Sequence, residues 1–113
     1  MNWNKLTQAE QLHKIDEESQ QEKIFIFKHS SRCNISSAAL NRIERKWNSE
    51  DHKVVKPYFL DLINYRNLSN EIAAKYNVQH ESPQVLIIQN GKCSFTHSHF
   101  DITYDDLMKQ AGA

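Results

Sequence analysis

The chain reads as an α/β protein whose central four-stranded mixed sheet is flanked by helices, in the order αβαβαββα. Three features carry that reading. The apolar run Ile24-Phe25-Ile26-Phe27 is followed, past Cys33, by apolar residues at helical spacing. A second strand-like run over residues 54–61 is again followed by a short helical stretch. Finally, Asn90-Gly91 lies between two strand-like runs, where it is the preferred pair for a two-residue type I′ hairpin.

Taken in order, Thr7-Gln8-Ala9-Glu10 has the form of a capping box, opening a helix to about residue 19 with Ala9, Leu12 and Ile15 inward. Residues 23–28 form the first strand. The next helix spans residues 34–47, with Ile35, Ala39 and Ile43 on one face and Leu40 and Trp47 widening it. Residues 54–61 are the second strand, 68–76 a short helix and 84–89 the third strand. The hairpin makes residues 92–98 a fourth strand antiparallel to the third, and Thr103-Tyr104-Asp105-Asp106 caps a final helix. An uninterrupted hairpin register sets Ile88 opposite Cys93, Gln84 opposite His97 and Pro83 opposite Ser98.

Bulk properties narrow the function classes. At 113 residues, with two glycines and two prolines and no linker, repeat or low-complexity segment, one domain is expected over residues 1–113. Lys+Arg and Asp+Glu both number 14, so no charge imbalance argues for nucleic acid or for a basic partner. The first residues carry no apolar signal region, and no apolar run reaches the length of a membrane span. Two cysteines make neither a disulfide framework nor a zinc quartet. A reducing, cytoplasmic setting is the expectation.

Cys33 is the residue on which chemistry centres. It follows a buried strand and begins a helix, where the dipole and the unpaired backbone N–H groups favour thiolate over thiol. Lys28, His29 and Arg32 add positive charge nearby, and Ser36, one turn on, offers its hydroxyl to the sulfur. Position 36 is also where a Cys-x-x-Cys motif would place its second thiol. Cys93 does not replace it: five residues along the strand from Pro83 is roughly 17 Å at about 3.4 Å per residue, and a disulfide needs Cα atoms within about 7 Å. Cys93 reads as a small packing residue, with a peripheral redox thiol as the other reading.

The element order is similar to the thioredoxin-like fold. Cys33 lies at the first β-to-α turn of the βαβ unit, and Ser82-Pro83 directly precedes the third strand. That likeness implies a cis Ser82–Pro83 peptide facing the cysteine. More specifically, the chain resembles the monothiol bacilliredoxins, through Phe27-Lys28-His29-Ser30, Cys33-x-Ile35-Ser36, His80-Glu81-Ser82-Pro83-Gln84-Val85 and Ser98-His99-Phe100-Asp101-Ile102-Thr103. The family usually reads Thr-Cys-Pro-Ile-Ser, whereas this chain has Arg32-Cys33-Asn34-Ile35-Ser36. Proline suits the first helical turn because its missing N–H is not needed there, and Asn34 restores that donor.

The resemblance implies a thiol–disulfide oxidoreductase that takes bacillithiol from S-bacillithiolated proteins through a Cys33 mixed disulfide, resolved by free bacillithiol as co-substrate thiol. Lys28 or Arg32 would pair with the carboxylates of its malate-derived group. Asn34, Ser82, Pro83, His97 and His99 complete the expected thiol-binding set. His97 and His99 have three readings: a polar strand end, groups contacting the bound thiol, or a metal-binding His-x-His pair for which spacing fixes no third ligand. No metal or nucleotide cofactor, membrane partner or nucleic acid is expected, and a monomer is favoured. Two other readings stay open. Cys-x-x-Ser spacing permits an iron–sulfur carrier, although the glycine of the usual Cys-Gly-Phe-Ser motif is absent. A redox sensor or docking module, modified at Cys33 without turnover, is the other.

Overall fold

Strand β2 (Lys23–His29) is apolar on both faces because it lies in the middle of the sheet, with helices packed above and below it. The computed structural model describes residues 1–112. Its elements are β1 (Asn4–Leu6), α1 (Gln11–Glu18), β2, α2 (Asn34–Lys46), β3 (Val55–Asp61), α3 (Arg66–Lys75), β4 (Gln84–Gln89), β5 (Lys92–Ser98) and α4 (Tyr104–Gln110). Short 3-10 turns precede β3 and follow β5. The sheet order is β1-β3-β2-β4-β5. Strands β1, β2 and β3 are parallel, β4 runs antiparallel to β2, and β5 antiparallel to β4.

The sheet therefore has five strands rather than four. β1 is three residues long and buries only Leu6, which is too little pattern to read as a strand. Pairing Asn4 with Tyr58 and Leu6 with Leu60 holds it at the edge of β3. Trp3, just before it, lies against Phe25, Phe27 and Phe59, with ring centroids 5.6, 6.0 and 5.5 Å away.

Two apolar layers cover the sheet. Leu12 and Ile15 of α1 and Leu68 and Ile72 of α3 pack on Ile24, Ile26, Leu86 and Ile88. Ala39 and Ile43 of α2 and Leu107 and Met108 of α4 pack on Phe25, Phe27, Val85 and Ile87. Strand alternation thus sends residues 24, 26 and 28 toward α1 and α3, and residues 25, 27 and 29 toward α2 and α4. The α2 face differs from the expected one. Ser36, Ala39 and Ile43 form its buried stripe, and Ile35 is half-exposed.

The first helix also starts differently. No side-chain cap forms at its N-terminus. Instead the Gln11 side chain folds back and accepts from the backbone N–H groups of Thr7 and Gln8, at 2.7 and 3.0 Å. Helix α1 therefore begins at Gln11, and Ala9 is exposed. At the other end of the chain, Thr103 caps α4 as expected, its hydroxyl accepting from the Asp106 N–H.

The β4–β5 hairpin turns at Asn90-Gly91, both at positive φ (53° and 74°), the backbone a type I′ turn demands. Its register holds as expected for Gln89–Lys92 and Ile88–Cys93, then shifts by one. Ile87 pairs with Phe95, leaving Ser94 as a bulge. Without it Cys93 and Phe95 would share a face. With it Cys93 joins Ile88 on the α1/α3 side and Phe95 joins Ile87 on the α2/α4 side. Gln84 consequently opposes Ser98 rather than His97, and His97 opposes Val85.

Ser19, buried after α1, ties this hairpin to the helix. Its hydroxyl accepts from Gly91 N–H and its carbonyl from Asn90 N–H, both at 2.8 Å, while the hydroxyl donates to Asp16 O at 2.7 Å. Ser19→Ala leaves the Gly91 N–H without that acceptor. A loss of about 1–2 kcal/mol is expected, read as a lowered urea midpoint with an unchanged m-value.

Candidate functional site

The C-terminal end of β2 and the N-terminus of α2 are joined by Ser30–Cys33, a turn closed by the Cys33 N–H donating to Ser30 O at 3.1 Å. Cys33 is the N-cap of α2, with extended backbone (φ −118°, ψ 119°). Its carbonyl accepts from Ser37 N–H at 3.1 Å, but its side chain caps nothing. The thiol is half-exposed, with Arg32 and Asn34 exposed on either side. It stands at the positive end of a helix thirteen residues long.

Ser36 is fully buried three residues on. Its oxygen accepts from the Ser30 N–H at 3.0 Å and lies 2.7 Å from His29 Nδ1. The hydroxyl is thus engaged with the end of β2 and the turn after it, rather than with the Cys33 sulfur as expected. Sequence reasoning took His29 only as a nearby positive charge and missed it as a partner of Ser36. Strand parity contained the signal: position 29 shares the α2 face with residues 25 and 27. Burial pushes its imidazole below the ordinary histidine range, against the pull of Asp61 and Glu44. The Phe59 ring lies tilted beside it, centroids 5.5 Å apart.

Pro83 enters the same pole through the pairing of Lys28 with Gln84. The Ser82–Pro83 peptide is cis, as the fold resemblance implies. Pro83 O accepts from His99 N–H at 3.1 Å. His99 sits past the strand in a 3-10 turn at φ 56°, with Nε2 3.3 Å from a Glu81 carboxylate oxygen. His97 remains within β5, its ring 4.5 Å from that of Phe95. The two histidines therefore do not form a pair on one strand face. Ser82 Oγ and His97 Nδ1 are buried without a hydrogen-bond partner among the described residues.

Lys28 does not belong to this pole. Even parity on β2 sends it to the α1/α3 side, where it is fully buried and donates from Nζ to Ser69 O at 3.1 Å. Burial, aided by the Arg66 guanidinium, pushes its pKa down to about 8. His80 shares this polar spot, its Nε2 3.0 Å from the Ser69 hydroxyl. Cys93 is half-buried on the same side of the sheet, its Sγ donating to Phe95 O at 3.3 Å, and burial pushes its thiol up. Both cysteines are free; Cys93 packs on the α1/α3 side of the sheet, whereas Cys33 opens α2, whose buried face packs on the other side.

A family model described as monothiol bacilliredoxin BrxC matches residues 4–107. Among solved structures, the chain is similar to a protein described as a candidate oxidoreductase with a thioredoxin fold. That pair shares 33% identity over 96% of this chain and 92% of the other, with a TM-score of 0.79. Thioredoxin from Fasciola hepatica is 20% identical, with 96% of each chain covered and a TM-score of 0.70. Thioredoxin from Malassezia sympodialis is 14% identical, covering 99% of this chain and 92% of its own, at a TM-score of 0.75. The last two likenesses show the fold.

The buried Lys28 has a measurable consequence. Its folded pKa of about 8 lies below the unfolded value of about 10.4, so between those values the unfolded chain holds more protons. Its burial cost is full below pH 8 and is relieved as pH rises toward 10. Lys28→Met is expected to be more stable than wild type at pH 7 by roughly 1–3 kcal/mol, with the gap narrowing by pH 10. Urea denaturation at both pH values measures it, and an equal gap at both contradicts the linkage.

Proposed function

The chain belongs to the monothiol bacilliredoxin family, and we propose that it removes bacillithiol from S-bacillithiolated proteins through Cys33. The observation that carries this reading is what occupies position 36. A buried hydroxyl bonded to Ser30 and His29 stands where an internal resolving thiol would be, and the other cysteine faces the opposite layer of the sheet. A thiol redox cycle on Cys33 must then be finished from outside.

The Cys33 thiolate attacks the bacillithiol sulfur of a client mixed disulfide. The client cysteine leaves as thiolate and takes a proton from water, and a Cys33–bacillithiol disulfide remains. A second bacillithiol, as thiolate, attacks the bacillithiol sulfur of that disulfide. Bacillithiol disulfide departs and the Cys33 thiolate is restored, the helix N-terminus stabilising it as leaving group. Arg32, exposed beside the thiol, is the cation to meet the malate carboxylates. Asn34, Pro83 and His99 would border the bound thiol.

Intact mass spectrometry after exposure to oxidised bacillithiol tests the assignment. Wild type and Cys33→Ala are compared, followed by release of bacillithiol from a modified test protein. One bacillithiol adduct is expected on wild type and none on Cys33→Ala. An adduct that persists in Cys33→Ala overturns the role of Cys33, and an adduct without release from the test protein points to a redox sensor. For Arg32→Ala, a several-fold rise in KM for bacillithiol is expected with kcat little changed, since one exposed charge contact is lost. Unchanged KM removes Arg32 from recognition.

A further inference from the structure

A serine oxygen accepts up to two hydrogens and donates one. At Ser36 the Ser30 N–H fills one acceptor position at 3.0 Å, and His29 Nδ1 makes the second contact at 2.7 Å. The two possible states of Nδ1 have different consequences. With a hydrogen on Nδ1, the imidazole donates to the serine oxygen and the hydroxyl hydrogen is free to point elsewhere. With Nδ1 bare, the hydroxyl hydrogen is spent on the ring.

The first turn of the helix limits where the freed hydrogen can go. Cys33 is the N-cap of α2 and Ser36 its third helical residue, so thiol and hydroxyl belong to the same turn. Ser36 is fully buried, so water does not compete for its hydroxyl, and the Cys33 side chain has no cap bond of its own. We propose that His29 is a positioning residue for the Cys33 thiolate: a hydrogen on its Nδ1 releases the Ser36 hydroxyl to the sulfur, and a bare Nδ1 withdraws it. The proposal rests on Cys33 being the reacting thiol.

The charges acting on His29 come from two neighbouring elements. Asp61 sits opposite it in the β2–β3 register, and Glu44 projects from α2. The remaining ring neighbours, Phe27 and Phe59, are apolar, with centroids at 6.1 and 5.5 Å. Burial holds the ring neutral over most of the neutral range, while the two carboxylates make a charged state attainable on acidification. By reciprocity, a thiolate at Cys33 favours a hydrogen on Nδ1, so blocking the thiol is felt at the ring.

The test follows both members of the pair between pH 5 and 9. Imidazole ¹⁵N shifts report the protonation of His29, first in the reduced protein and then after Cys33 is blocked with methyl methanethiosulfonate. Iodoacetamide alkylation, read by peptide mass spectrometry, reports Cys33 separately from Cys93. The His29 midpoint is expected to be higher in the reduced protein than in the blocked one, and that gap is expected to vanish in Ser36→Ala and to return in Ser36→Thr. His29→Gln should slow Cys33 alkylation below pH 7 about three- to tenfold, the net scale of one ordinary hydrogen bond, and remove the inflection at the His29 midpoint. A His29 midpoint indifferent to blocking Cys33, in wild type without any substitution, overturns the proposal. So does a gap of equal size in folded Ser36→Ala. If Cys33 alkylates no faster than Cys93, the premise that Cys33 is the reacting thiol fails instead.

Discussion

The two-sided burial of β2 is the constraint on which the arrangement depends. A strand with β3 on one side, β4 on the other and helices on both faces cannot choose where its residues point. Its last two residues are Lys28 and His29, both polar, and parity separates them absolutely. His29 reaches the helix that begins at Cys33, where it finds Ser36. Lys28 is driven into the layer under α3, where Ser69 O takes one of its three hydrogens. One polar residue serves the thiol pole, and the other loads the opposite face with a buried ammonium.

The Ser94 bulge does for β5 what parity does for β2. It allows Cys93 and Phe95, two positions apart, to face different layers. The second thiol is thereby committed to the apolar layer of α1 and α3. The strand beyond the bulge brings Ser98 and His99 beside Gln84 and Pro83, at the pole where α2 begins. The geometry of both strands thus keeps Cys93 away from the turn that carries Cys33.

Much of this was legible in the residues. The alternation of helices and strands, the Asn90-Gly91 hairpin, the Thr103 cap and the place of Cys33 follow from period, turn chemistry and capping, which are local. What was not legible depended on contacts between distant residues. β1 has one buried residue and exists because β3 offers an edge. The Thr7 capping box lost to the Gln11 side chain, which satisfies two backbone donors at once. Lys28 was read by charge as part of the thiol pole, although counting from Phe27 would have turned it away. Ser36 displaced Ile35 from the buried stripe because its hydroxyl has partners waiting at the end of β2 and just past it.

Those partners bear on what Ser36 is. A serine at that position can be read as a resolving cysteine that has been lost, its site otherwise unchanged. The distances argue differently. Contacts of 2.7 and 3.0 Å are those of oxygen, and both groups around it are strong hydrogen-bonding partners. Sulfur is larger and both a weak donor and a weak acceptor, so a thiol there would leave the half-buried Ser30 N–H and His29 poorly satisfied. The pocket under Cys33 is built for a hydroxyl. On the proposed cycle the hydrogen bonds at position 36 and the absence of internal resolution become one design: the group that cannot resolve a mixed disulfide is the group proposed to hold, or withhold, a hydrogen bond to the thiolate.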